Sequence, residues 1–228
     1  MRQGKTLVFL APICAVLFVG CGPKLHNYVN NIDNVSVHAE RTGIYPVVDF
    51  GEFESDVNDD GVISGMEYIA EGQNLAVDAA TDAFASRLDS QVQQRELAAD
   101  VASNARQAMA EGNPFPLSPQ SSWNMAVSII EWGVSPGFNG SADAFMRIFA
   151  ELIGPTGDQA WRDNVSCRRD LAPDTFTAAS QINANVAAMM ALGDQAIIHT
   201  FNQLAQECGR DLTEEFRGDV IRARAKAE

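Results

Sequence analysis

Twelve consecutive residues, Asp56-Val57-Asn58-Asp59-Asp60-Gly61-Val62-Ile63-Ser64-Gly65-Met66-Glu67, carry oxygen-bearing side chains at positions one, three, five, nine and twelve of the run. A hard cation such as calcium takes six to eight oxygens at about 2.3–2.6 Å. A short segment meets that demand by curling so that alternate residues point inward, and Asp56, Asn58 and Asp60 have the spacing to do so. Gly61 supplies the sharp bend, which needs a backbone conformation that side chains resist. The carbonyl of Val62, the hydroxyl of Ser64 (directly or through a water) and both carboxylate oxygens of Glu67 complete the set.

Every acid, amide, glycine and glutamate position of this run resembles the loop of EF-hand calcium-binding proteins. The resemblance implies Ca2+ held by Asp56, Asn58, Asp60, Val62, Ser64 and Glu67, with Ile63 packed inward or paired with a second loop. No second loop of the pattern occurs in the chain, and the flank ahead of it departs from the family. Ile44–Phe50 reads as extended, because Pro46 disfavours helix just before it. A helix is expected to leave the loop at Met66–Ala70, with Gly72 soon after. The loop is similar to the lone calcium loops of dockerin-like and bacterial EF-hand proteins as much as to sensors. Extracytoplasmic modules of this type bind in the range of ~10⁻⁴–10⁻³ M, which favours a structural staple over a switch. The competing reading is an acidic turn without metal.

The first six residues carry Arg2 and Lys5, and Leu7–Val19 is apolar apart from Pro12. That run is shorter than the roughly 20 residues of a membrane span. It fits the charged and apolar regions of a secretory signal. It ends at Leu17-Phe18-Val19-Gly20-Cys21, which resembles the lipobox of bacterial lipoproteins, with Phe18 where that family usually has Leu. The resemblance implies cleavage before Cys21 and lipid on its sulfur; an ordinary cleaved signal beside an unrelated cysteine is the other reading. Two acyl chains at ~0.8 kcal/mol per buried methylene anchor stably. Gly22, by analogy with the family, is not the aspartate that retains lipoproteins at the inner membrane, so the expected place is the periplasmic face of the outer membrane. The organisation expected is a signal peptide over 1–20, a flexible tether over 21–43, a calcium-binding segment over 44–73 and a helical domain over 74–228.

Export would put Cys167 and Cys208 in an oxidising compartment, where they form a disulfide or remain separate buried thiols. Neither has a histidine or cysteine at zinc-ligand spacing. The chain is 228 residues long with a formal net charge of −14, a balance that repels nucleic acid and mainly serves solubility. Leu75, Phe84, Leu88, Val92, Val101, Ala105 and Met109 recur at helical steps, so one long helix or two collinear ones are expected over 74–111. Shorter helices follow over Ser122–Trp132, Ser141–Ile153, Asp158–Cys167, Asp174 or Thr175 to Leu192, and Asp194–Cys208. Asp211 with Glu214 resembles a capping box for a last helix. The expected fold is mainly α, a multi-helix bundle. Trp123, Trp132, Phe138, Phe145, Phe149 and Trp161 read first as core.

Little points to catalysis. His26 and His38 fall in the expected tether, and His199 falls among Ile197, Ile198 and Phe201, where a packed histidine is expected. Nucleophile-elbow, zinc-protease and phosphate-loop patterns are missing from the sequence. The function expected is a calcium-binding envelope lipoprotein, anchored through Cys21, that binds a protein or cell-wall partner or scaffolds an assembly. The alternative is a calcium-supported peptidoglycan hydrolase of lytic transglycosylase type. It would need a glutamate in a helical cleft, for which Glu131 and Glu151 qualify by residue type alone.

Overall fold

The structure, a computed structural model, describes residues 25–40, 44–49, 65–92, 97–112, 114–136, 142–172, 187 and 189–227. Two 3-10 turns, Leu25–Asn27 and Val29–Asn31, lead into strands β1 (Ser36–Ala39) and β2 (Val47–Val48). Helices α1 (Gly65–Val92) and α2 (Leu97–Gly112) come next. Strands β3 (Asn124–Pro136), β4 (Ala142–Ile153) and β5 (Gln159–Ala172) form an antiparallel meander, and helix α3 (Asp194–Ala227) closes the order. Both β1 and β2 run parallel to β3 along its other edge, β1 at residues 124–127 and β2 at 133–134. The sheet order is therefore β1-β3-β4-β5, with β2 beside β1's position on β3.

This five-stranded sheet corrects the expected all-helical bundle. The three segments read as helices over 122–132, 141–153 and 158–167 are β3, β4 and β5. The alternation is present on β4: Ala142, Ala144, Met146, Ile148, Ala150 and Leu152 are buried, while Asp143, Phe145, Arg147, Phe149, Glu151 and Ile153 turn to the other face. Phe145, Phe149 and Ile153 on that second face make the run nearly continuous in apolar character, which conceals a period of two. A bulge between Ile129 and Glu131 interrupts the same period on β3.

Helices α2 and α3 cover the inner face, α2 over β1 and β3, and α3 over β4 and β5. They pack tightly on each other at Gly209, where an added Cβ would stand 2.7 Å from the Ala105 backbone nitrogen. Gly209 is thus a packing glycine inside one continuous helix, and the expected helix end there and cap at Asp211 are corrected. Phe201, Leu204, Cys208, Leu212, Phe216 and Val220 form the buried stripe of α3. Helix α1 likewise runs through Gly72, since one interior glycine costs a helix only about 1 kcal/mol.

Residues 25–40 are part of the fold. Leu25, Val29, Ile32, Val35 and Val37 are buried in the core, and Trp123 donates its indole N–H to the Asn31 carbonyl at 3.2 Å. The stretch expected as a tether up to residue 43 is therefore structured over 25–40. Its apolar residues are spaced irregularly among asparagines, which hid them from a periodicity test. The signal peptide and Cys21 lie outside the described residues.

Cys167 on β5 and Cys208 on α3 are joined by a disulfide, with Cα atoms 5.7 Å apart across a separation of 41 residues. The bond pins α3 to the edge strand. Loop-closure entropy for that separation predicts ~4 kcal/mol of stabilisation. A Cys167→Ala/Cys208→Ala double variant should show an unfolding free energy in urea lowered by about that amount, and reductant should shift the midpoint of the wild type but not of the variant. An unchanged unfolding free energy in the variant would assign the bond no stabilising role.

Candidate functional site

The side chains of Asp56, Asn58, Asp60, Val62, Ser64 and Glu67 lie outside the described residues, as do residues 50–55 ahead of them; residues 44–49 upstream and the backbone from Gly65 onward are described. Upstream, β2 is a strand, as the reading of Ile44–Phe50 as extended requires. Downstream, α1 begins at Gly65, so the Glu67 backbone lies in the first turn of a helix, one residue earlier than the expected start at Met66. That turn is where the twelfth-position carboxylate of such a loop closes on its ion from a fixed backbone.

The upstream segment is fastened to the sheet. Val47 and Val48 pair with Gly133 and Val134, and the Asp49 N–H donates to the Val134 carbonyl at 2.9 Å. Trp132 donates its indole N–H to the Ile44 carbonyl at 2.8 Å and packs edge-on against Phe201 of α3. Gly133 has φ +154°, and a Cβ there would stand 1.7 Å from the Val47 carbonyl oxygen. Only glycine lets β2 dock. Sequence reasoning took Gly133 for a helix stop, because a glycine that admits a neighbouring backbone carries no local mark.

Helix α1 is anchored by burial of Val77, Phe84, Leu88 and Val92. Arg87 then fixes it to the start of α3. Its guanidinium donates to Asp194 Oδ1 from Nε at 2.8 Å and from Nη2 at 2.5 Å, to the Met190 carbonyl at 3.2 Å and to the Leu192 carbonyl. The hydroxyls of Tyr45 and Ser86 meet at 2.9 Å and tie the approach to β2 directly to α1.

Beside β2, the outer face of the sheet carries a cavity of about 230 Å³ lined in part by Asp49, Glu131, Ser135, Phe145, Arg147 and Arg168. Glu131 pairs with Arg147 at 3.1 Å, and Glu151 accepts from Gln159 at 2.5 Å. Both glutamates stand on strands, and among the described residues no helical cleft encloses either. Trp123, Trp132 and Trp161 are core; Phe145 and Phe149 lie partly exposed on the outer face, and Phe138 is outside the described residues. His199 is exposed on α3, which corrects its expected packing: Ile197 and Phe201 face the sheet and His199 does not.

A larger cavity, about 500 Å³, runs between β5 and α3, lined by Asp163, Asn164, Val165, Ser166, Asp211, Glu214 and Glu215. Burial pushes the Asp211 carboxyl above the ordinary carboxylate range, Arg210 opposes that, and Glu214 adds to it. Among the described residues no three histidine, cysteine, aspartate or glutamate side chains converge as a metal site. No described helix is long and apolar enough to cross a membrane.

No protein-family model matches the chain, and no curated protein does. Three solved bacterial structures are similar to it at low identity. A DUF330 protein from Xanthomonas campestris is 10% identical with a TM-score of 0.38, covering 55% of this chain and 63% of that one. This chain thus spans less than two thirds of that protein's length. The PelC dodecamer from Paraburkholderia phytofirmans is 10% identical, TM-score 0.31, over 78% of this chain and 87% of its own. A minor lipoprotein from Acinetobacter baumannii is 11% identical, TM-score 0.28, over 51% and 85%. Similarity at this level assigns no role to any residue here.

The docking of β2 gives a direct test. Gly133→Ala should force β2 off β3 and lower stability by about 2 kcal/mol or more, with hydrogen exchange rising at Val47–Asp49 before the rest of the sheet. Protection at those amides equal to wild type would contradict the close approach.

Proposed function

We propose that this chain is a lipid-anchored protein of the bacterial cell envelope whose Asp56–Glu67 loop binds one calcium ion as a structural staple. The supporting observation is the placement of the segments that flank the loop: β2, eight residues before Asp56, is hydrogen-bonded to β3, and α1 starts at Gly65 with Glu67 in its first turn. The donors fit the ion, since carboxylates, an amide, a hydroxyl and a main-chain carbonyl make an all-oxygen set. Bound there, calcium would supply charge neutralisation and cross-linking. Asp56 would hold it from the strand side and Glu67 from the helix side, so the ion would fix the junction between the sheet edge and α1.

Anchoring is supported by the signal pattern and Cys21, with Leu25 beginning the folded core only four residues later. The globular part would therefore sit close to the membrane surface. A partner, protein or cell wall, would bind the folded part; the outer membrane remains the expected site by the Gly22 criterion.

A thermal melt tests the staple. With a dissociation constant of ~10⁻⁴–10⁻³ M, about 10 mM calcium should add roughly 1.4–2.7 kcal/mol over chelator. For a chain of this size that is a rise of roughly 3–10 °C. Asp56→Ala and Glu67→Gln should each remove the calcium-dependent rise while leaving the melt in chelator nearly unchanged. Identical melts of the wild type in calcium and chelator would end the proposal.

A further inference from the structure

The end of the sheet where β3 and β5 begin and β4 stops carries a cavity of about 470 Å³. Three segments wall it: the turn over residues 28–34, the approach to β3 over 120–123, and the β4–β5 turn at Pro155 and Thr156. Their backbones are fastened to one another. The Asn31 carbonyl accepts from the Trp123 indole at 3.2 Å, and the Asn34 carbonyl accepts from the Ser121 hydroxyl at 2.7 Å. The Trp123 ring lies against Gly154, where an added Cβ would stand 2.8 Å from it.

The side chains on these walls are spare. Among the described residues, those of Asn31, Asn34, Gln120 and Ser122 make no hydrogen bond. An amide offers one acceptor oxygen and two donors, so three amides and a hydroxyl on a fixed backbone form a preset array. The Tyr28 ring, half-buried and edge-on to Trp123 at 5.9 Å between centroids, adds an aromatic surface. Asp33 is the one carboxylate on the lining, and no base lines it. A phosphate or carboxylate ligand would find no cation there. Neutral polar groups beside an aromatic ring suit a ligand with hydroxyls and an apolar face.

We propose that this cavity binds a neutral saccharide bearing acetamido groups, the chemistry of a cell-wall glycan strand. Sugar hydroxyls donate to Asp33 and to the side-chain amide oxygens. The acetamido group is itself an amide, so it exchanges a donor and an acceptor with Asn31, Asn34 or Gln120. Its methyl, or the C–H face of the sugar ring, lies on Tyr28. The inference rests on the cell-wall branch of the function proposed above and gives that branch a site and a ligand class.

Titration calorimetry of the full chain, in a detergent without sugar groups, tests this. Tri-N-acetylchitotriose should bind at one site per chain with a dissociation constant of about 1 mM or below. Cellotriose, which has the hydroxyls but no amides, should bind roughly tenfold more weakly. Asn31→Ala and Gln120→Ala each remove an exposed side chain that bonds to no described residue, so each should keep the wild-type melting temperature and weaken binding roughly fivefold. Titrations in calcium and in chelator should agree, which separates this site from the calcium staple. Co-sedimentation with insoluble peptidoglycan separates it from the broader reading: wild type and both variants pelleting alike would keep a cell-wall partner and overturn this site. No heat with tri-N-acetylchitotriose, equal affinity for cellotriose, or variants that bind as the wild type does would also overturn it.

Discussion

One-sided burial of the β3-β4-β5 meander is the constraint on which the molecule depends. A sheet with one apolar face must be covered, and here α2 and α3 cover it. The inner row of β4, with three alanines among its six residues, is flat enough for α3 to lie close. Gly209 lets α2 approach α3 in turn. The disulfide between Cys167 and Cys208 and the 2.8 Å bond from the Trp161 indole to Asp219 hold α3 to β5 at two heights.

The outer face follows from the same constraint. With α2 and α3 on one side, the other side carries Glu131, Arg147, Glu151, Arg162 and Arg168, arranged as cross-strand neighbours. What the sheet does provide is fixed edges. Along β3 it holds β1 and β2, and through β2 it fixes one end of the acidic loop. At the other edge, β5, no described strand pairs.

The sequence showed the local features and concealed the sheet. The loop pattern is read from seven positions within twelve residues, and the helical periodicity of Phe84, Leu88, Val92, Val101, Ala105 and Met109 matches residues buried in α1 and α2. Those signals are short in range. The sheet was missed because β4 is apolar on both faces near Phe145 and Phe149, because alanine weakens the strand signal, and because a bulge breaks the period of β3. Gly133 and Gly209 each looked like a helix stop. Both are contact glycines, and what they contact, the Val47 carbonyl and the Ala105 backbone, lies 86 and 104 residues away in the chain. Arg87 was one charge among several on its helix until Asp194 came beside it.

The account centres on an ion held between β2 and α1. Titration calorimetry of calcium into metal-free protein measures that most directly. One ion per chain, with heat saturating in the range of ~10⁻⁴–10⁻³ M, is the result expected of a single extracytoplasmic loop. No heat up to several times that concentration, with the protein shown to be folded, would contradict it.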